Sequence, residues 1–175
     1  MNQPQQRGTE NARTREPANA RTPSSVQRVR AVLAVHGLQH LSVREFAEST
    51  ATAADAAAAI ETTVGRIVKS LVFMAGEQPV LVLTSGPNRV DTQKVSSLMG
   101  QPITRANADQ VRQLTGFAVG GVPPVGHSQQ LTTYVDRDLL QYDEVWAAAG
   151  TPNTVFGISP ADLVRISQGH VEDVT

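Results

Sequence analysis

Cysteine is absent from this chain of 175 residues, and lysine, aromatic residues and net charge are all scarce. The lack of cysteine excludes disulfides, thiolate metal sites and a cysteine nucleophile. The net charge is −1, so the chain has no general basic field of the kind that attracts DNA. No apolar run is long enough to span a bilayer, and no signal-peptide core is present. We therefore expect a cytoplasmic protein with neither membrane nor DNA among its partners.

Several catalytic signatures are missing as well. The chain contains no Gly-x-Ser-x-Gly nucleophile elbow and no phosphate loop ending in Gly-Lys-Ser/Thr. The four histidines do not form a metal-ligand set, since Gly37 breaks the helix between His36 and His40, while His127 and His170 are isolated. We expect no metal and no cofactor.

Composition divides the chain into two parts. Residues 1–24 carry no large aliphatic or aromatic side chain after Met1, so they cannot bury enough surface to offset the entropy of ordering. This predicts a disordered polar tail, with four arginines against two glutamates. The tail is either simply solvated or an RNA-contacting arm. Residues 25–175 have an ordinary apolar content and are predicted to form one domain.

Capping residues and apolar periodicity predict alternating helices and strands in this domain. Because short turns join several strands, we predict an α+β fold, a mixed and largely antiparallel sheet with surrounding helices. The predicted helices are one from Ser25 to the stop at Gly37 and others at 53–60, 92–99, 107–115 and 160–166. The predicted strands are 40–46, 67–74, 80–84, 102–105, 132–135, 144–149, 154–158 and 170–174.

The stretch GGVPPVGH, residues 120–127, is the most informative segment and is named here the Gly-Pro loop. Proline fixes φ and lacks an amide donor, whereas glycine adopts φ values closed to other residues. A loop of this composition turns sharply and brings bare amides close to a ligand, which suits an anion or oxyanion site. A rigid structural turn is the alternative interpretation.

Lys69 is one of only two lysines among 15 basic residues. Period-two alternation places it on one strand face with Ile67, Leu71 and Phe73, and the opposite face is also mostly apolar. A cation in such a central strand needs a partner or a water-filled cleft. It either meets phosphate or developing negative charge in a pocket, or extends its amine to the edge of the sheet.

Three segments together resemble the YbaK/EbsC family, the editing domain associated with prolyl-tRNA synthetase. They are VGRIVKSLVF at 64–73, TGFAVGGVPPVG at 115–126, and AAG at 148–150 with SPADL at 159–163. The resemblance covers roughly residues 25–174. It implies a free-standing hydrolase, an aminoacyl-tRNA deacylase that cleaves the ester between a wrong, small amino acid and the 3′-terminal adenosine of tRNA(Pro). Prolyl-tRNA synthetase is a further implied partner.

The resemblance also implies roles for particular residues. Lys69 would hold the terminal nucleotide, and the segment 120–124 would place the aminoacyl carbonyl against backbone amides, with water as the nucleophile. Small residues beside the loop would shape the amino-acid pocket. The predicted catalytic set is Lys69, Gly120, Gly121, Val122 and Pro124. The predicted substrate-binding set is Thr84, Ser85, Gly126, His127, Ala149 and Gly150.

Two points stay open at this stage. Some relatives carry an acidic residue after the small-residue strand, but residues 151–156 contain none, so the amino acid removed is not defined. The near-neutral charge suggests a local grip on tRNA by Arg66, Arg89 and the tail. The alternative functions are a non-catalytic module that binds a tRNA end or a synthetase, and a hydrolase of another small ester.

Overall fold

The computed structural model describes residues 24–175. The tail expected over residues 1–24 lies, apart from Ser24, outside the described residues. The helices found are α1 (Ser25–Val35), α2 (Ala53–Ile60), α3 (Thr92–Met99), α4 (Ala108–Thr115) and α5 (Pro160–Ser167). The strands found are β1 (Val43–Glu45), β2 (Val68–Ala75), β3 (Gln78–Ser85), β4 (Ile103–Arg105), β5 (Thr132–Asp136), β6 (Val145–Ala148), β7 (Thr154–Ile158) and β8 (His170–Glu172).

Each of the five described helices begins directly after a capping residue. Each cap accepts a hydrogen bond from a backbone amide of the first turn, and the caps are Ser24, Thr52, Asp91, Asn107 and Ser159. Such a cap satisfies amides that have no partner within the helix, and so sets where each helix starts. The observed bounds of α2 and α3 coincide with the predicted ones.

The strands form two sheets, which confirms the predicted α+β fold. A five-stranded sheet has the order β4-β2-β3-β5-β8, and a three-stranded sheet has the order β1-β7-β6. Four of the strand pairs are antiparallel, while β5 runs parallel to both β3 and β8. An isolated bridge between Ile67 and Trp146 links the two sheets. The predicted strand at 67–74 therefore starts one residue later, because Ile67 takes part in that bridge.

Apolar side chains cover both faces of the five-stranded sheet. One face carries Val72 and Leu83 and packs against α1 and Phe117, in the larger core. The other carries Phe73 and Val82 and packs against α3. The strand that holds Lys69 is thus central and enclosed, as its two apolar faces predict.

Candidate functional site

An open cleft of about 750 Å³ lies where the two sheets meet. Six consecutive residues of the chain, 67–72, line it. Alternate side chains of a strand point to opposite faces, so consecutive residues can line one cavity only along the strand's edge. β4 pairs with β2 only from Phe73 to Ala75, which leaves the preceding part of that edge facing the cleft.

The remaining walls come from five separate segments and from Gly86. The segments are the start of α2 with the residues before it, the end of β4 with the first half of α4, the Gly-Pro loop with Val119, and the strands β6 and β7. Within residues 24–175, no acidic side chain lines the cleft, whereas Lys69 and Arg105 do. Much of the rest is small: the alanines in the lining are Ala51, Ala53, Ala56, Ala106, Ala108 and Ala148. The cleft is basic where Lys69 and Arg105 line it, and most of the remaining lining is apolar, with the six alanines beside larger residues such as Trp146.

Lys69 lies opposite Thr84 in the β2–β3 pair, and its amine donates a hydrogen bond to the backbone carbonyl of Asn88. The Asn88 side chain in turn donates to Asp136 and Asp138, both at 2.8 Å. Asp136 is fully buried and also accepts the Ser85 amide at 3.0 Å. This network fixes the loop after β3 and, through it, the lysine.

The pKa of Lys69 is lowered, first by burial and then by repulsion from Arg105 and Arg89, while Asp136 acts in the opposite sense. Burial and two nearby cations both disfavour the ammonium form. An anion placed in the cleft would relieve both effects. The environment of Lys69 is therefore one that favours a negatively charged ligand.

Ser70 lines the cleft next to Lys69, and its hydroxyl is buried without a hydrogen-bond partner in the described part of the chain. A buried polar group without a partner costs about 1–3 kcal/mol, so a ligand that supplies one gains that energy. Sequence reasoning missed this residue. The signal was a hydroxyl on a strand face that otherwise carries Val68, Val72 and Met74.

The first half of the Gly-Pro loop packs tightly against two neighbouring segments. Gly120 has φ +87°, and a Cβ there would lie 2.9 Å from the Cβ of Ala51. A Cβ at Gly121 would lie 2.7 Å from the backbone carbon of Thr151. That neighbouring segment is itself held by Thr50, whose amide and hydroxyl donate to Pro152 O at 2.6 and 3.0 Å. Glycine is required here because the backbones approach so closely.

The amides of the loop differ in their availability. The Gly121 amide donates to Ala118 O at 3.0 Å and closes a turn. By contrast, the amides of Gly120 and Val122 have no acceptor among residues 24–175, and both residues line the cleft. Within residues 24–175, these two are the loop amides that a ligand in the cleft could use.

The second half of the loop faces a different cavity. Pro124, Gly126 and His127 line this back cavity, of about 650 Å³, which the residues of the cleft do not share. His127 bonds Pro123 O at 2.7 Å through Nε2 and packs edge-on against Phe117. Burial lowers the pKa of His127, an effect that its hydrogen bond to Pro123 opposes and the nearby Arg28 reinforces.

The other predicted substrate-binding residues lie in the interior. Thr84 and Ser85 are buried, and the Ser85 hydroxyl donates to Gly65 O at 2.6 Å. Ala149 is buried, and Gly150, at φ +109°, packs against Ser25. The structure thus brings together Lys69, Gly120 and Val122 of the predicted residues, with Ala148 of the small-residue segment 147–150, and adds Ser70 and Arg105.

Two kinds of feature are absent from the described residues. Residues 24–175 contain no cluster of three or more His, Asp or Glu side chains that could hold a metal ion. None of the described helices is long and apolar enough to cross a membrane.

The fold is mixed α+β, and its cleft combines two basic side chains with an apolar lining rich in alanine. Such a cleft fits a ligand with an anionic group next to a small apolar group. Comparison with known proteins identifies the family. The model of the aminoacyl-tRNA editing domain matches residues 47–166, and the chain belongs to this family. The resemblance to the YbaK/EbsC family is confirmed, as is the predicted enzyme class at family level, a hydrolase of aminoacyl-tRNA esters.

Individual relatives agree with this membership. The chain is 32% identical to the uncharacterized protein YwhH of Bacillus subtilis over 71% of this chain and 80% of YwhH. It is 26% identical to EbsC of Enterococcus faecalis, named as a candidate Cys-tRNA(Pro)/Cys-tRNA(Cys) deacylase, over 78% of each chain. A crystal structure of a candidate trans-editing enzyme for prolyl-tRNA synthetase superposes with a TM-score of 0.83 at 47% identity, covering 88% of this chain and 98% of that one.

Proposed function

We propose that the chain is a trans-editing deacylase that removes a small, wrong amino acid from tRNA(Pro) in the cytoplasm. One observation carries the proposal: the cleft joins a basic end, at Lys69 and Arg105, to a small apolar end, with the Gly-Pro loop beside them. An aminoacyl-adenosine has the same polarity, with phosphate and ribose at one end and an amino acid at the other. Residues 25–175 form the editing domain.

The cleft suits an ester hydrolysis in which the protein supplies orientation and charge. Lys69 binds the terminal nucleotide through its phosphate or ribose. The ester carbonyl faces the amides of Gly120 and Val122, which have no other acceptor in the described chain. Water attacks the carbonyl carbon and the bond from that carbon to the ribose oxygen breaks. A proton from the water passes to the ribose oxygen, so the ribose hydroxyl is restored and the free amino acid is released. Loss of one oxyanion donor typically costs about two to three orders of magnitude in rate.

Small side chains at the apolar end favour small amino acids. Ala148 and Ala51 leave room for a methyl or thiol group, and Val122 adds an apolar contact. A synthetase pocket that accepts proline discriminates against a smaller residue by only about 1–3 kcal/mol per methylene, so such errors need a second, hydrolytic pocket. The names of EbsC and of the crystal structure, both linked to tRNA(Pro) or its synthetase, support this tRNA as the substrate.

Ser70 completes the polar part of the cleft. Its hydroxyl is buried and lacks a partner within residues 24–175, and it lies beside Lys69 on the strand edge. We assign it to a hydrogen bond with a polar group of the bound aminoacyl-adenosine. That bond satisfies the hydroxyl when substrate is present, which makes Ser70 a determinant of substrate affinity.

A deacylation panel tests this function. Ala, Cys, Ser, Thr and 2-aminobutyrate are each charged on tRNA(Pro) and on their cognate tRNAs, and the release of amino acid is followed with the wild-type protein. We expect fast release of one or more of the smaller amino acids from tRNA(Pro). Tight binding of tRNA without release of any amino acid would instead identify a non-catalytic module that binds the tRNA end.

A further inference from the structure

A second groove of about 510 Å³ continues from the cleft past Lys69. It shares Lys69, Leu71 and Arg105 with the cleft but none of the Gly-Pro loop. Its position on the far side of Lys69 makes it an exit path for whatever is attached to the ligand's anionic end. The residues that this groove adds are Phe73, Arg89, Val90 and Thr92.

The walls of the groove carry positive charges that no acidic side chain of the described residues neutralises. Arg89 and Arg105 are exposed, and neither forms an ion pair with any described residue. No carboxylate among residues 24–175 lines the groove. Both arginines also lower the pKa of Lys69, as expected when three positive charges approach one another. Converging cations without carboxylates are typical of a site that binds phosphate.

The floor of the groove is apolar. Leu71 and Val90 are half-buried there, whereas Phe73 is only 3% exposed, and the Arg105 guanidinium lies 5.7 Å from the centroid of the Phe73 ring. Proteins that bind single-stranded nucleic acid combine a positively charged groove along the backbone with side chains, commonly aromatic, that contact the bases. In this groove the aliphatic side chains of Leu71 and Val90 offer the apolar contact, so it matches one nucleotide, with its base against them and its phosphate at the arginines.

We propose that this groove binds the nucleotide immediately 5′ of the terminal adenosine, with its phosphate between Arg89 and Arg105 and its base against Leu71 and Val90. The inference rests on the proposed function, which places the terminal adenosine at Lys69. If the terminal adenosine lies at Lys69 with its ester towards the Gly-Pro loop, the preceding nucleotide extends in the opposite direction and enters the groove. The groove thus gives the enzyme a grip on the single-stranded 3′ end that an isolated aminoacyl-adenosine does not offer.

Arg89 provides the test, because it lines the groove and not the cleft. Arg89→Ala and Arg89→Glu are compared on a mischarged tRNA and on the matching 3′-O-aminoacyl-adenosine, which has no phosphate. Loss of a charge-assisted contact should reduce kcat/KM for the tRNA about tenfold through KM, and charge reversal should reduce it further. The aminoacyl-adenosine should be hydrolysed as by the wild type. For the tRNA, the plot of log KM against log salt should also flatten by about 0.7, the value for one phosphate of a single strand.

Arg30→Ala and Arg30→Glu are the matched controls, since Arg30 is an exposed arginine of α1 that lines neither the cleft nor the groove. Unchanged tRNA kinetics in the Arg89 variants, or an equal loss on both substrates, would overturn the proposal. A measurement of ligand binding distinguishes failure of this proposal from failure of the proposed function. If the wild type hydrolyses neither substrate, Arg89→Ala should still weaken binding of the trinucleotide CCA and not of AMP, and equal binding of CCA would refute the groove.

Discussion

The two sides of the Gly-Pro loop are built for different tasks. Its first half contributes Gly120 and Val122 to a cleft lined by alanines and two basic side chains. Its second half contributes Pro124, Gly126 and His127 to a back cavity whose other polar groups are mostly amides and hydroxyls, including Gln78, Gln129, Gln130 and Gln168. One continuous motif therefore serves two surfaces.

Different contacts hold the two sides of the loop in place. On the cleft side the backbone is pressed against Ala51 and Thr151 and leaves two amides without partners in the described chain. On the other side His127 bonds Pro123, and Arg28 donates to Gly116 O at 2.5 Å while its guanidinium lies 4.2 Å from the Phe117 ring centroid. The second half of the loop is therefore fixed by contacts with its neighbours, whereas, within residues 24–175, the first half leaves two amides free for a ligand in the cleft.

Lys69→Ala should have the largest effect on activity. Its amine is one of the two cationic groups among residues 24–175 that line the cleft, and loss of a charge-assisted contact to a phosphate or ribose should reduce kcat/KM for mischarged tRNA about 100-fold. Stability should change little, because the half-buried amine loses a desolvation cost together with its hydrogen bond. Steady-state deacylation and thermal unfolding measure the two effects.

Lys94→Ala is the matched control for Lys69. Lys94 pairs with Asp173 at 2.8 Å on the exposed surface of α3, a pair worth less than about 1 kcal/mol. Its removal should leave deacylation unchanged. An equal loss of activity in the two variants would show that Lys69 has no special role in the cleft.

Gly120→Ala and Gly126→Ala separate the two sides of the loop. Both glycines have positive φ, +87° and +82°, so each alanine costs about 1–3 kcal/mol of backbone strain. Only at Gly120 does the new methyl group collide, at 2.9 Å from Ala51, whereas at Gly126 its contacts are 3.7 Å or longer. We expect both variants to unfold at lower temperature and Gly120→Ala alone to lose about tenfold or more in kcat. Equal activities of the two variants would argue against a role in the reaction for the half of the loop that lines the cleft.

His127→Gln should have the smallest effect on activity and a measurable effect on the pH dependence of stability. Because burial lowers the pKa of His127, the unfolded chain binds a proton more readily than the folded one. The free energy of unfolding should therefore fall as the pH drops below about 6.5 towards the folded-state pKa, and be unaffected above that range.

Glutamine removes this titration and retains an amide near Pro123. The loss of Tm between about pH 7.5 and pH 5.5 should consequently be smaller in His127→Gln than in the wild type. Activity at neutral pH should stay within about twofold, because a substitution in the back cavity leaves the chemistry of the cleft intact. A large fall in kcat would instead make His127 a participant in the reaction.

Local signals in the sequence predict much of this fold. Thr52 and Asp91 set the starts of α2 and α3, because a cap acts within one turn of the residue that carries it. The central position of Lys69 follows from the alternation of its own strand. Such features depend on neighbours a few residues away, and the chain displays them directly.

Long-range contacts account for what the sequence did not reveal. The parallel pairing of β5 with β3 joins segments some fifty residues apart, and nothing local encodes it. The division of the Gly-Pro loop between two cavities depends on Ala51, Thr151 and Arg28, which lie far away in the sequence.

For the small residues after Trp146, the sequence likewise does not show which individual side chains line the cleft. The sequence indicates that small residues shape the pocket, and the phase of the strand decides which of them reach it. Ala147 and Ala149 are fully buried, whereas Ala148 points to the other side and lines the cleft. A shift of one residue reverses such an assignment, because side chains alternate along a strand.

Binding of a stable substrate analogue tests the central claim most directly. In 3′-deoxy-3′-(alanylamino)adenosine 5′-monophosphate an amide replaces the ester, so the ligand stays intact while amide chemical shifts of the protein are recorded by NMR. The account predicts saturable shifts at Lys69, Ser70, Gly120 and Val122, lost in Lys69→Ala. Shifts confined to Gly126, His127 and the glutamines of the back cavity would contradict it.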